Sequence, residues 1–327
     1  MKPAFLITID TEGDNLWSRP QETTTVNARY LPRFQSLCER YGFKPTYLTN
    51  CEMAKCLDFQ TFGRDILRRK TGEIGMHLHA WCSPPHFPLT DNDFYHHPYL
   101  IEYPEKVMHD KIRFMTVLLQ DTFGVEIVSH RAGRWAFNEV YARLLVDAGY
   151  RVDCSVTPHV SWKQMMGDPA QDGGTDYRGF PEEAYFVDLS RISNRGHSPL
   201  LELPMTIVVA AGPKVARIRS ILSSMGVSNG VLRRLAPILW LRPDGQNLSG
   251  MLQVLRQAEA TGRPYVQFML HSSELMPGCS PTFPTAEHIE KLYADLESLF
   301  KYATTRYEGA TLAEYHGRIT RAEADQV

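Results

Sequence analysis

Short apolar runs alternate along much of the chain with stretches whose apolar residues recur at helical spacing. The run over residues 4–10 predicts a buried strand, and helical spacing around 30–41 precedes a second apolar run at 45–49. The alternation continues with predicted helices at 61–70, 108–119, 140–145 and 286–302, and with predicted strands at 74–78, 125–130, 150–156, 200–203, 207–210 and 265–270. Alternating strands and helices predict an α/β domain built on a parallel sheet.

Three segments interrupt this alternation. Residues 81–103 form a long loop rich in Pro, His and aromatic residues, and 161–199 predict an irregular excursion rich in Gly, Pro and Asp. Residues 211–245 predict a helical insertion, with two helical pieces over 214–241. We expect residues 1–327 to form one domain that contains these insertions.

Polar side chains follow the predicted strands at the points where those strands end. The carboxyl ends of parallel strands share one face of an α/β domain, so residues remote in sequence can meet there. The polar groups in question are Asp10 and Glu12, His77 and His79, Arg131 and Arg134, and His271. The pattern predicts one site that binds a metal or a substrate.

Asp10 and Glu12 lie two positions apart at a strand end, so both side chains point the same way. One can bind a cation while the other takes a proton, since a cation offsets the repulsion between two carboxylates. The alternative is a simple turn, because Thr11, Gly13 and Asp14 are also turn formers.

His77 and His79 show the same alternation, which a transition metal can bridge. Zinc is the default ion for mixed carboxylate and imidazole ligands, although other divalent metals fit them. Three further histidines follow in the long loop, as ligands, substrate contacts or solvated residues: His86, His96 and His97.

Arg131 and Arg134 flank a glycine before Trp135. A guanidinium there can orient a catalytic carboxylate or hold an anionic substrate, and the indole can stack on a sugar face. The alternative is a surface turn beside a core tryptophan.

His271 ends the most apolar strand of the C-terminal half. It is placed to act as a general acid once a partner, Asp153 or Glu274, sets its pKa. Otherwise it is a buried core histidine.

Composition narrows the class of protein. With 327 residues, 43% of them hydrophobic, the chain can bury a full core, and a formal net charge of -2 gives no field for nucleic acid. The six cysteines show no Cys-x-x-Cys pair, so we expect reduced thiols. No apolar stretch reaches the length of a bilayer span, and the strand that begins at Ala4 leaves no room for a signal peptide. We therefore expect a cytoplasmic protein without a transmembrane segment.

The order of the motifs resembles that of the NodB-type polysaccharide deacetylases of carbohydrate esterase family 4. That family has an acidic motif after its first strand, a histidine motif after Glu-Ile-Gly, an arginine motif, an aspartate motif and a late Leu-His motif. The corresponding residues here are Asp10 and Glu12, Glu73 to His77, Arg131, Asp153, and Leu270 with His271. The resemblance spans about residues 4–275 and implies a distorted β/α barrel with helical and loop insertions.

The resemblance also implies roles for individual residues. Asp10 would be the general base, oriented by Arg131, and His271 would be the general acid, tuned by Asp153. Glu12, His77 and His79 would bind the metal. The family usually has adjacent aspartates, whereas Thr11 separates the two acids here, and its second histidine commonly lies where this chain has Trp81, so that His79 takes that place.

The leading hypothesis is a metal-dependent hydrolase that removes an N-acetyl group from an amino sugar, as a nucleotide- or lipid-linked precursor of a surface polysaccharide. The expected substrate contacts are Trp81, Arg134, Trp135 and Glu274, since aromatic faces pack on sugar rings. The alternatives are a metal-dependent amidase or imidase acting on a small cyclic amide, and a noncatalytic carbohydrate-binding protein. The arginines of the helical insertion could also contact an anionic membrane surface or a second copy: Arg217, Arg219, Arg233, Arg234 and Arg242.

Overall fold

A computed structural model describes residues 2–210 and 236–324, together with Gly212, Val215, Ile218 and Leu222. Within these residues the chain forms a nine-stranded sheet and a separate two-stranded antiparallel sheet. The strands are β1 (Ala4–Thr11), β2 (Pro45–Thr49), β3 (Glu73–Leu78), β4 (Ser129–Ala132), β5 (Val152–Asp153), β6 (Tyr185–Phe186), β7 (Leu201–Glu202), β8 (Ile207–Val209), β9 (Ile238–Trp240), β10 (Tyr265–His271) and β11 (Glu308–Ala310).

Helices follow most of these strands. They are α1 (Leu31–Arg40), α2 (Cys51–Lys55), α3 (Leu57–Arg69), α4 (Asp93–His96), α5 (Glu105–Phe123), α6 (Glu139–Asp147), α7 (Leu248–Ala260), α8 (Ala286–Thr304) and α9 (Leu312–Ala324). None of the helices in this part of the chain is long and apolar enough to span a bilayer.

The large sheet is an open, curled half-barrel with the strand order β10-β1-β2-β3-β4-β5-β7-β6. Its strands pair in parallel except β6 with β7, and β11 pairs with the first residues of β1. The free edge of β10 is covered by irregular backbone: the Met269 N–H donates to the Leu241 carbonyl (3.2 Å) and the Gln267 N–H to Thr206 Oγ1 (2.8 Å). The curled parallel sheet with its helices is consistent with the expected distorted barrel, which confirms the expected fold class.

The core explains why the central strands are nearly continuous apolar runs. All eight residues of β1 are buried, as expected for a parallel strand that is covered on both faces. Phe5 of β1 stacks on Phe43 with ring centroids 4.7 Å apart, and Phe300 of α8 meets both rings edge-on. This packing buries the start of β1, and parallel pairing with β10 and β2 on either side places Asp10 at the carboxyl end of the strand.

Most of the predicted elements are found, and several differ in detail. Residues 238–240, predicted as helix, form β9, which pairs antiparallel with β8. The excursion over 161–199 is mostly irregular but contributes β6 to the large sheet. The remainder of the predicted helical insertion at 211–235 lies outside the described residues, apart from the four single residues named above.

Candidate functional site

The strand ends converge on one cleft, as their positions in the sequence predict. Asp10 of β1 lies beside His271 of β10 in register, and His77 of β3 lies beside Arg131 of β4. The cleft has a volume of about 320 Å³. Eight of the predicted site residues line it: Asp10, Glu12, His77, His79, Trp81, Arg134, Trp135 and His271.

Asp10 is a buried carboxylate held by a buried arginine. Arg131 Nη1 donates to Asp10 Oδ1 (2.6 Å), while Nη2 donates to Thr8 Oγ1 (2.8 Å) and Nε to the Cys154 carbonyl (3.1 Å). Burial raises the pKa of Asp10, but Arg131 and the neighbouring His77 and His271 outweigh it, so the pKa is lowered. The other oxygen, Asp10 Oδ2, faces His77 and His271, whose Nε2 atoms lie 4.0 Å and 3.8 Å away.

Three side chains form a compact set of possible metal ligands, which we call the donor set: Glu12, His77 and His79. One ligand atom from each lies within 4.8 Å of the others, and all three side chains are buried. Glu12 Oε2 is 3.5 Å from His77 Nε2 and 2.8 Å from His79 Nε2. Ligands about 2.0–2.2 Å from a tetrahedral zinc ion lie roughly 3.3–3.6 Å from one another, so a small increase in the Glu12–His79 distance would accommodate the ion.

The tautomer of His77 supports this donor set. His77 Nδ1 lies 2.9 Å from the Arg131 carbonyl, which can only accept, so Nδ1 carries the proton. The lone pair of Nε2 then points towards Glu12, as metal-binding histidines require. The three residues therefore fit a divalent metal such as zinc.

His79 is held by its Nε2 contact with Glu12 and by packing against Trp81, and not by a hydrogen bond to Nδ1. Its Nδ1 is buried and has no hydrogen-bond partner among the described residues. A Cβ on Gly133 would lie 2.7 Å from His79 Nδ1 and 2.4 Å from the Leu78 carbonyl. Glycine at position 133 is therefore what allows the imidazole to turn inward.

His271 is held by Glu274 and Arg242. The His271 N–H donates to Glu274 Oε2 (2.8 Å), and His271 Nδ1 lies 3.2 Å from the same oxygen and 3.1 Å from Arg242 Nη2. Its Nε2 faces the cleft, 3.8 Å from Asp10 Oδ2 and 3.8 Å from Glu12 Oε1. Burial would raise the pKa of Glu274, but Arg242 and His271 lower it to about 2.

Of the two expected partners of His271, Glu274 is found and Asp153 is not. Asp153 does not contact His271: it lies on β5, where its Oδ1 is 2.6 Å from His130 Nδ1 and accepts from Ser155 Oγ (2.9 Å). Burial and the adjacent Asp153 raise the pKa of Glu202 on the next strand, so these acids form a separate buried cluster. Glu274 is only 1% exposed, and it positions His271 instead of contacting substrate.

Aromatic rings form the walls of the cleft. Trp81 stacks on His97 with ring centroids 4.2 Å apart and planes 9° apart, and its other neighbour is His79 at 4.3 Å. Trp135 packs under the Arg131 guanidinium at 4.8 Å. Both tryptophans are largely buried but expose edges to the cleft, so they shape it as well as the core.

The structure adds cleft residues that sequence reasoning did not assign to the site. They are Leu16, Trp17, Arg19, Tyr99, Trp162, Met165 and Arg242, and His97, whose role the sequence left undecided, also lines the cleft. These residues come from irregular loops without periodic signals. Arg242, which was grouped with a membrane-facing surface, belongs instead to the site, and the other four arginines of that group lie outside the described residues.

Comparison with known proteins identifies the architecture. No family model matches the chain, and no curated protein sequence does. A protein from Mycobacterium smegmatis, whose assignment as a polysaccharide deacetylase is provisional, is similar with a TM-score of 0.57 over 99% of this chain and 92% of that chain, at 13% identity. The chain has the fold of the polysaccharide deacetylases.

The deacetylase fold alone does not select a reaction. The 4-alpha-glucanotransferase from Thermococcus litoralis is similar with a TM-score of 0.51 over 96% of this chain and 40% of that chain, also at 13% identity. Because one architecture occurs in enzymes with different names, the reaction has to be argued from the side chains in the cleft.

Proposed function

We propose that this protein is a metal-dependent deacetylase that hydrolyses the acetamide of an N-acetylated amino sugar. The observation that carries the proposal is the arrangement of the cleft: the donor set of Glu12, His77 and His79 lies within about 4 Å both of Asp10, which Arg131 holds, and of His271. Base, donor set and acid are the three parts that hydrolysis of an amide needs.

Glu12, His77 and His79 would hold the metal, for which zinc is the first candidate. When bound, a divalent ion supplies Lewis-acid polarisation of the amide carbonyl that is attacked. The protein residues supply the proton transfers and the binding surface.

Asp10 is the proposed general base. Arg131 occupies Oδ1, which leaves Oδ2 free to take a proton from the attacking water. The water oxygen bonds to the carbonyl carbon, and the proton moves to Asp10 Oδ2. Arg131 fixes the orientation of the carboxylate and so keeps this oxygen directed towards the cleft.

His271 is the proposed general acid. Its Nε2 lies 3.8 Å from Asp10 Oδ2, beyond hydrogen-bonding distance, so base and acid do not bind each other. As the carbon–nitrogen bond breaks, a proton from Nε2 passes to the leaving nitrogen. The products are acetate and a free amino sugar, and Glu274 keeps the imidazole in place.

The size of the cleft favours a small substrate. Its volume of about 320 Å³ lies near the lower end of the roughly 300–1,000 Å³ usual for small-molecule sites. We extend the proposal to a nucleotide- or lipid-linked precursor of a surface polysaccharide, in which one acetylated sugar enters the cleft between Trp81 and Trp135.

Acetate release by the zinc-reconstituted protein tests this proposal. We expect acetate from N-acetylated sugars, and we expect Asp10→Asn to lower kcat by about 10²–10⁴-fold while zinc stays bound. Asp65→Asn, at an exposed ion pair on α3, is the matched control and should retain activity. Full activity of the Asp10 variant would remove Asp10 from the role of base. Hydrolysis of a cyclic imide without any acetylated sugar would favour the imidase hypothesis instead.

A further inference from the structure

One wall of the cleft carries a guanidinium group without a carboxylate partner. Arg134 Nη1 donates to the His97 carbonyl and Nη2 to the Met166 carbonyl (2.9 Å), and the group lies over the Tyr99 ring at 4.1 Å. No carboxylate in the described part of the chain forms an ion pair with it. The negative charge of Glu102 raises the pKa of Arg134 without an ion pair between the two groups. Glu102 Oε2 instead accepts a hydrogen bond from the backbone N–H of Tyr99 (2.6 Å).

Arg19 adds a second positive charge to the same cleft. Its side chain is exposed and lies over the Tyr95 ring at 4.9 Å, and it too forms no ion pair among the described residues. Burial lowers the pKa of Arg134, and the nearby positive charge of Arg19 lowers it further. Two guanidinium groups that repel each other across a cleft would both be stabilised by an anion between or beside them.

The position of Arg134 is enforced by unusual backbone geometry. Arg134 and Trp135 have φ angles of 55° and 65°, in the left-handed region that residues other than glycine rarely adopt. Backbone strain of this kind persists only where the surrounding structure holds it. Here the Tyr177 hydroxyl donates to the Trp135 carbonyl (2.5 Å), so the turn directs both side chains into the cleft.

The other charges of the cleft are already matched. Asp10 is paired with Arg131, Glu12 contacts the two histidines, and Arg242 is paired with Glu274. The positive charges of Arg19 and Arg134 therefore remain, in addition to that of any divalent ion. A guanidinium has five N–H donors, and Arg134 uses two of its nitrogens on carbonyls, which leaves N–H groups for a ligand.

We propose that Arg134, assisted by Arg19, binds an anionic group of the substrate. This inference rests on the proposed deacetylase function and specifies its substrate as an N-acylated sugar that carries a carboxylate or a phosphate. A planar guanidinium matches the paired oxygens of both groups. Because the cleft has room for little more than one sugar, the charged group belongs to the acetylated sugar itself or is attached directly to it.

Isothermal titration with three probes tests the inference through binding rather than turnover. The probes are N-acetylglucosamine, N-acetylglucosamine 1-phosphate and N-acetylglucosaminuronic acid, each titrated into zinc-reconstituted and into chelator-treated protein. We expect at least one anionic probe to bind at least 10-fold more tightly than the neutral sugar in both preparations. The probe that gains affinity identifies phosphate or carboxylate as the group recognised.

Variants locate the binding group. Arg134→Gln should reduce the preference for the anionic probe by about 10-fold, and Arg19→Gln should reduce it by a smaller factor. Arg151→Gln, at an exposed ion pair with Glu126, is the matched control and should keep the full preference. Arg134 also binds two loop carbonyls, so Arg134→Gln could change the loop as well as the charge. Arg134→Lys, which keeps the charge but loses the planar fork, is therefore measured together with Arg134→Gln. The Arg19→Gln variant changes an exposed residue that does not bind this loop.

Equal affinities for the three probes would overturn the inference, as would a preference that survives in both Arg134→Gln and Arg19→Gln. Failure of the proposed function gives a different result. If the anionic probes bind through Arg134 but no acetylated sugar releases acetate, the anion site stands and the deacetylase assignment falls. If neutral and anionic sugars release acetate equally well, the deacetylase assignment stands and the anion site falls.

Discussion

Removing the guanidinium of Arg131 should strongly destabilise the protein, because it isolates a buried charge. Arg131 is 0% exposed and Asp10 is 2% exposed, so neither group can recover its lost partner from water. Breaking a buried ion pair by removing one partner costs about 3–5 kcal/mol. Arg131→Met also leaves Thr8 Oγ1 and the Cys154 carbonyl without the donor that binds them now. We therefore expect a loss in the free energy of unfolding of about 3–5 kcal/mol.

The double variant separates the charge from the packing. In Asp10→Asn/Arg131→Met no uncompensated charge remains, so we expect the two changes to couple by about 1–3 kcal/mol, with the double variant more stable than Arg131→Met alone.

Thermal unfolding in chelator measures these differences, since a bound cation could otherwise replace the lost guanidinium. For a chain of 327 residues, the predicted loss corresponds to a fall in Tm of about 4–7 °C for Arg131→Met. Arg151→Met, at an exposed pair with Glu126, is the control and should change the stability by less than about 1 kcal/mol. Two results would contradict a buried ion pair of this strength. One is a Tm of Arg131→Met within about 1.5 °C of the wild type, which corresponds to about 1 kcal/mol or less, and the other is strictly additive effects in the double variant.

Two further predictions concern groups around the cleft. The pKa of Glu274 is lowered to about 2 from a usual 4.5, so its stabilisation is present above about pH 4.5 and is lost as the pH falls towards 2. The wild type should therefore be more stable than Glu274→Gln at pH 6, and this difference should shrink by up to about 3 kcal/mol as the pH falls to 2.5. A difference in Tm that does not change with pH would contradict this. Gly133→Ala should weaken zinc binding by about 10- to 100-fold, because the added Cβ would meet His79 Nδ1 at 2.7 Å. Gly179→Ala, where no atom lies within 4 Å of the added Cβ, is the control in the same titration, and equal zinc affinity of both variants would show that His79 tolerates the methyl group.

The sequence predicts those parts of the site that depend on strand ends. Long apolar runs precede Asp10, His77 and His271. Parallel pairing brings residues at such strand ends to one edge of the sheet, independently of the conformation of the loops. The spacing of two in Asp10–Glu12 and His77–His79 also predicts correctly that the members of each pair reach the same cleft.

Other parts could not be predicted because they depend on loops and short strands. Asp153 lies on a strand of two residues, and nothing in the sequence showed that His130 would take it instead of His271. His97 and Arg242 come from segments without periodicity, and their roles follow only from tertiary packing. The apolar residues at 238–240 fit a helix or a strand equally well, and pairing with β8 decided between them.

Elemental mass spectrometry of the purified protein measures whether Glu12, His77 and His79 hold a metal ion. We expect near-stoichiometric divalent metal after reconstitution and its loss in the His77→Ala/His79→Ala double variant. His288→Ala, an exposed histidine on α8, is the control and should bind as much metal as the wild type. Equal metal in the double variant and the wild type, or none in the reconstituted wild type, would contradict the assignment of Glu12, His77 and His79 as a metal site.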